Sequence, residues 1–534
     1  MSHRVGDYVR ALIDQATGKI RGFRTPADED QLIVDAQDLA ASTGSALVGH
    51  IASGTGAVAR TLQSKALDIV SMFDYFTDAQ RADVSAKTKS ISVATAMAAC
   101  LTAVQAAGGG AVWMPPGGYL APTISTADGQ SYRIIGSGNQ NTTIWTNSAT
   151  ASVLDLIAWN SSIEHVGFDS TVTRTAGNYV TLTGAYTKAD NCQFNNDFTG
   201  VYMVGVNAKV LHCIFRTGAS GGSRIVAGGG DTTQLIHGCL IGAQSAPYPL
   251  CGIRVQDSSA LTISDTSVIA QGVDLLIDPG AGQTVYSLKV HDCFFDTAGT
   301  GVLIQPAAGG GSVQRVDFVD CWTCSMTGSG FQIIQAGTAS VTGVRLVNHQ
   351  GHLNAGSGVD VSAASTTLLA DFNVLGGAFA QNTSYGIAIG NNVCGFSIMG
   401  ARCGAADGLT GNSQRGIIVF GTNHDNYSIT GNFLLGNTVG AMLDQGTGTT
   451  KIVRHNLGYN PIAPAAVSVG ASPYTYTNTT GDTAVLAIYG GTVSSVTLNG
   501  RTVATATNTA VTVPHGRSVV ITHSSTPSAE VMGF

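Results

Sequence analysis

Eleven short runs decide how this chain folds: IEHVGF (163–168), DNCQF (190–194), LHCIF (211–215), IHGCL (236–240), SDTSV (264–268), HDCFF (291–295), VDCWT (319–323), VNHQG (347–351), LGGAF (375–379), MGARC (399–403) and TGNFL (430–434). Aligned, they share one column: His165, Asn191, His212, Gly238, Asp265, Asp292, Asp320, Asn348, Gly376, Gly400 and Gly431. Every member is Gly, Asn, Asp or His, the residue types that best tolerate a positive φ. Most intervals are 24 to 28 residues, with 21 and 31 as the outliers. Two residues before the column stand Val210, Ile263, Val290, Phe318, Leu346, Val374, Ile398 and Ile429. All are apolar, and the two-residue period of a strand turns them inward. A second strand is expected after Gly200, Gly252, Gly272, Gly301, Gly330, Gly358, Gly386, Gly416 and Gly440. Each rung then reads as strand, left-handed turn, strand, loop, and residues 121–456 form an all-β parallel solenoid of about eleven rungs.

Composition agrees with a repeat. Charged residues are 11% of the 534, against roughly 25% in ordinary domains, and there are 68 glycines. The net charge of -7 and the lack of a basic stripe exclude nucleic acid as a partner. No leader-like segment or apolar run of spanning length is found, which predicts synthesis in the cytoplasm and no membrane insertion. Residues 1–72 are polar and irregular. Within 73–120, Ile91, Ala94, Met97, Ala98, Leu101 and Val104 have helical spacing. Ser90 is the expected N-cap and Gly108 to Gly110 the stop, giving a helix placed to plug the solenoid before its first strand. Residues 457–534 read as a small β-domain, too short for a large independent core and expected to lean on neighbours.

The column disciplines the chemistry-bearing residues. Cys192, Cys213, Cys239, Cys293 and Cys321 follow it by one residue, so they stack inward as small hydrophobes. Only Cys321 and Cys324 have metal-like spacing, and no second pair completes a site; no metal or cofactor is expected. Asp265, Asp292 and Asp320 are turn residues. Lys289, Asp317, Arg345 and Asn373 form an outward row of alternating charge on successive rungs, a solvated face or a sugar-binding one. The glycine triplets at 108–110, 228–230 and 309–311 lack a following Lys-Ser/Thr and are turns.

If the solenoid carries a pair of carboxyl groups about 5 to 9.5 Å apart, the spacing that glycoside hydrolysis would need, rungs at ~4.8 Å place the pair on adjacent or next-but-one turns. Asp257 and Asp278 are the first pair, five and six residues after Gly252 and Gly272. Arg254 and Asp274 share the outward position two residues after the same glycines, flanked by the insertion 242–250. Asp296, with Asp317, forms a second pair. Asp274 is a further catalytic candidate, and Arg254, Gln332, Asp360 and Trp322 are the expected substrate contacts. Glu164 is expected to be solvated. A site shared between subunits is an open alternative.

Three stretches carry a resemblance to bacteriophage tailspikes and prophage pectate-lyase-like proteins. DLAASTGSALVGHIASGTGAVARTLQSKALDIVSMFDYF (38–76) resembles their neck. ISVATAMAACLTAVQAAGGGAVWMPPGGYL (91–120) resembles their capping helix and first strand, and LGYNPIAPAAVSVGASPYTYTNTTGD (457–482) the start of their C-terminal β-domain. The resemblance implies a right-handed parallel β-helix of the pectin lyase fold, in a homotrimeric virion protein. Its N-terminal segment attaches to the phage tail or baseplate, its C-terminal domain trimerises or binds glycan, and it acts at the bacterial surface on capsule or lipopolysaccharide O-antigen. The sequence departs from the family at Phe73-Asp74-Tyr75-Phe76, where a Gly-Asp-Gly turn is usual. It also lacks the clustered aspartates and the Arg-Pro-x-x-Arg run of calcium-dependent pectate lyases. The resemblance therefore implies a hydrolytic depolymerase ahead of a lyase, with a receptor-binding adhesin as the alternative from a different class.

Overall fold

The structure is a computed structural model that describes residues 49–50, 60–61, 69–230, 233–242, 247–365, 369–405, 408–421 and 423–533. Most of the expected neck, and four residues of the 242–250 insertion, lie outside the described residues. The chain forms a parallel β-helix in which every central rung gives one strand to each of three sheets. Sheet A holds the strands before the turn column, such as Lys289–His291. Sheet B holds those just after it, such as Phe294–Asp296, and has eleven strands. Sheet C holds those that follow, such as Thr300–Ile304, and has twelve. The expectation of two strands per rung is thus corrected to three. Sheet B strands are only two to four residues long in most rungs, too short for alternation to register them.

All eleven column residues have φ between +50° and +70°. Stacking keeps their amides bonded through the turn: His165 N–H donates to Asp190 O (3.1 Å) and Asp320 N–H to Val347 O (3.0 Å). Two further left-handed columns went unread. One bends sheet A at Ala260, Ser287, Arg315, Gly343, Asp371, Gly395 and Asn426; the other separates sheets B and C at Ala270, Thr297, Ser325, Leu353 and Gln381. Their mixed composition hides them. The left-handed penalty, roughly 1–2 kcal/mol for an ordinary residue, is outweighed where the ladder continues above and below.

The glycines that open sheet C answer to space. A Cβ on Gly330 would lie 2.6 Å from Thr323 Oγ1 and 2.9 Å from Gly358 O, and one on Gly358 2.7 Å from Gly386 O. The same inner corner holds a ladder of buried asparagines. Asn382 Oδ1 accepts the backbone and side-chain amides of Asn354, and Asn412 Oδ1 those of Asn382. The interior is otherwise apolar, with Phe168, Phe194 and Phe215 stacked at 5.2 and 4.6 Å. The five column-following cysteines are all buried, and none of the ten is bridged.

The N-terminal end is covered by two helices, α1 (Asp78–Ala86) and α2 (Ala94–Ala106). α2 is the expected plug, burying Met97, Cys100, Leu101 and Val104, but Ser90 does not cap it; Val93 does, without a side-chain bond. Ser90 instead donates its backbone amide to Asp83 (3.1 Å), the anchor of α1, a helix the charged composition had concealed. Strand Ile69–Ser71 already pairs with Gly110–Met114. At the other end, residues 465–533 form two four-stranded antiparallel sheets. They enclose a small core of their own that includes Leu486, Val496, Val513, Val519 and Ile521. Among the described residues no helix is long and apolar enough to cross a membrane.

Candidate functional site

The outer face of sheet A is not flat. Each strand bends at its left-handed residue, and because those residues stand in register the bends line up into a groove along the helix axis. Tyr286 pairs with Gln314 and Gln314 with Thr342, so Ser287, Arg315 and Gly343 lie one above another. Asp371 and Gly395 continue the line through the pairing of Phe372 with Phe396. From Ser287 to Asn426 there are five rung intervals, or ~24 Å.

Two cavities occupy this groove and meet at Asn373. The first, about 450 Å³, is lined by Ser287, Arg315, Asp317, Gly343, Arg345, Asp371 and Asn373. The second, about 640 Å³, is lined by Gly395, Ser397, Asn426, Ser428, Thr450, Lys451 and others, and by His515 from the C-terminal sandwich. Gly343 makes the floor: its missing side chain leaves Arg315 on one side and Asp371 Oδ2, 3.6 Å from a Cβ position, on the other.

The polar groups are held in defined poses. Arg345 Nε and Nη2 donate to the two oxygens of Asp317 at 2.7 and 2.8 Å, a bidentate pair that holds the guanidinium pKa above its usual value. Asp371 Oδ1 accepts from Asn373 Nδ2 at 2.8 Å, and its other oxygen has no partner among the described residues. Arg315 lays its guanidinium 5.2 Å from the centre of the Tyr286 ring and donates to that hydroxyl. At the far end His515 Nδ1 accepts the Gly481 amide (3.1 Å), while Nε2 is buried without a partner among the described residues. Burial, reinforced by Lys451, lowers its pKa. Lys451 itself is buried against Asp444 at 2.8 Å.

Of the residues singled out from the sequence, Asp317 lines this groove; Arg254, Asp274, Gln332 and Asp360 stand on sheet C with Asp278 just past it, Asp296 and Trp322 on sheet B, Asp257 just before the sheet A strand Ser258–Ser259, and Glu164 on the sheet A strand Ser162–Glu164. Arg254 does face outward, but it grips Asp278 through Nε (3.0 Å) and Nη2 (2.6 Å). Asp257 accepts the Thr284 amide (3.4 Å). Asp274 is not outward. It is 0% exposed, both its oxygens lack partners among the described residues, and burial, then Asp296, raises its pKa well above its usual value. The sequence alignment matched Gly272 with Gly252, whereas Cys251 pairs with Val273 and Ile253 with Leu275. Asp274 therefore sits opposite Gly252 at the inner corner, between two glycines that leave it room. Asp296 accepts from the Thr297 hydroxyl (3.0 Å). Gln332 donates to Asp360 (3.3 Å), whose pKa burial raises. Trp322 is 39% exposed and packs edge to face on Phe294 at 5.6 Å. Glu164 is not solvated: its side chain is 5% exposed and bound by Arg133 and Lys188, and despite burial these partners hold its pKa down to about 2.

Lys289, Asp317, Arg345 and Asn373 had been read as one outward row, and they pair on consecutive rungs. Arg315, Gly343 and Asp371 were missed. Their signal is that each stands two residues before a member of that row. No grouping of His, Cys, Asp and Glu suited to a metal occurs among the described residues.

No protein-family profile and no curated protein matches this chain. Among solved structures, the fold is similar to that of the tailspike protein of E. coli bacteriophage HK620 in complex with pentasaccharide. The two share 12% identity over 93% of this chain and 98% of that one, with a TM-score of 0.58. A double mutant of the same tailspike gives the same values, and a single mutant in complex with pentasaccharide a TM-score of 0.56. At this identity the likeness shows the fold alone, a parallel β-helix.

Proposed function

We propose that this protein is the polysaccharide-binding β-helix of a phage tailspike, that the glycan lies along the sheet A groove, and that it is hydrolysed there between Asp317 and Asp371. The reading is supported chiefly by a continuous open groove that carries carboxylates on alternate rungs. Two rungs are ~9.6 Å of backbone, on the scale of the ~6.5–9.5 Å separation that accommodates a water for inversion. The β-helix likeness to a tailspike that binds pentasaccharide agrees with glycan as the ligand. With it go the remaining elements of a tailspike: a homotrimer, attachment to the phage tail or baseplate through residues 1–72, and action on capsule or O-antigen at the host surface.

One observation favours the adhesin instead: Arg345 occupies both oxygens of Asp317, leaving a single open carboxylate in the groove. Asp257 and Asp278 are the competing catalytic pair. Incubation with host capsule and lipopolysaccharide, read by reducing ends and by the absorbance of unsaturated uronates, separates hydrolase, lyase and adhesin. Asp371→Asn and Asp317→Asn should each lower hydrolysis by about 10²-fold or more while glycan binding persists. Parent-level cleavage in both, with loss in Asp257→Asn or Asp278→Asn, transfers the chemistry to sheet C.

A further inference from the structure

The groove's charge is at odds with that of the chain. We infer that the glycan it takes is an acidic one, whose carboxylate, sulfate or phosphate substituents are recognised by Arg315 and Lys289; this rests on the groove being the glycan site. The chain carries a net charge of -7, yet the groove's lining holds Arg315 and Arg345 against Asp317 and Asp371, and Lys289 stands beside it on the adjoining strand, paired with Asp317. The carboxylates are partly spent: Asp317 is bound through both oxygens by Arg345, and Asp371 through one by Asn373.

The surplus cations are open. Neither Arg315 nor Lys289 makes an ion pair among the described residues, and both side chains are exposed. They stand on adjacent rungs, since Lys289 pairs with Asp317, two residues beyond Arg315. Arg315 is also preorganised. Its backbone is left-handed at φ +56°, which aims the side chain across the bend, and its guanidinium rests on the Tyr286 ring with one nitrogen bound to the hydroxyl. The remaining donors of a planar fork suit a carboxylate or phosphate better than a hydroxyl. A cation held in place without a counter-ion has lost side-chain entropy in advance, so an anionic substituent binds it at reduced cost.

The test is a printed array of bacterial surface oligosaccharides that includes neutral, carboxylated, sulfated and phosphorylated members, probed with the full chain. Binding should be confined to acidic members, should weaken as salt rises, and should fall at least tenfold in Arg315→Gln. Arg315→Lys, which keeps the charge and loses the fork, should lie between, and Lys289→Gln reports on the second cation without touching the bend. The carboxylated, sulfated and phosphorylated members tell which anion is read. Neutral members bound as tightly as acidic ones overturn the inference and leave glycan binding intact, as does acidic binding that neither Arg315→Gln nor Lys289→Gln reduces. No binding to any member counts against the inference and the glycan site together.

Discussion

At the scale of single residues, buried ionisable groups set how the fold meets acid. His349 is 0% exposed, wedged between the rings of Phe331 and Phe379. Burial, with His352 nearby, lowers its pKa to about 3. The unfolded chain takes up that proton near pH 6.5 and the folded one does not, so the unfolded state binds more protons below pH 6.5 and stability falls as pH drops from there toward 3. Each unit is worth about 1.4 kcal/mol. Glu164 acts lower, its contribution being lost only as pH falls from about 4.5 toward 2. His349→Phe, which fits between the two rings, should therefore flatten the decline of melting temperature between pH 6.5 and 4.5; an unchanged slope would clear His349. Burial pushes Cys239 up to about 12, and thiol labelling after denaturation should find nearly all ten free.

At the scale of elements, the turn column was legible because one residue property, tolerance of positive φ, had to repeat at every rung. Asp292→Val should cost about 1–2 kcal/mol in denaturant unfolding and Asp292→Gly much less. The sheet A bends were not legible. Ala260, Ser287 and Arg315 are ordinary residues forced into a left-handed pose by their neighbours, and only the pairing of whole strands reveals that they align with Gly343 and Asp371. Asp274 shows the opposite failure: a two-residue slip in matching glycines moved a carboxyl from the inner corner to the surface, since alternation breaks where sheet C begins. The asparagine ladder escaped notice too, as its members are separated by 25 to 30 residues amid many surface asparagines. Asn382→Ala would orphan the buried Asn354 amides and should destabilise by about 1–3 kcal/mol.

At the scale of the whole molecule, three parallel sheets stacked over about eleven rungs make a β-helix roughly 50 Å long, and small-angle scattering should report a rod. The sandwich at its C-terminal end has its own core, so residues 458–534 should fold alone by circular dichroism. If it also trimerises the chain, deleting 457–534 should leave monomers or aggregates in light scattering; an intact trimer would assign it another task, such as lending His515 to the groove.

The bend repeated at Ser287, Arg315, Gly343, Asp371, Gly395 and Asn426 has a consequence for how such a surface can change over generations. Because each turn of the coil brings its own segment of the channel, losing or duplicating one turn shortens or lengthens the channel by a fixed step of ~4.8 Å and leaves the rest aligned. Channel length in this architecture is thus quantised: if the groove holds the glycan as proposed, a lineage can adapt to a longer or shorter sugar repeat by inheriting a whole turn at once, with no need to rebuild the walls.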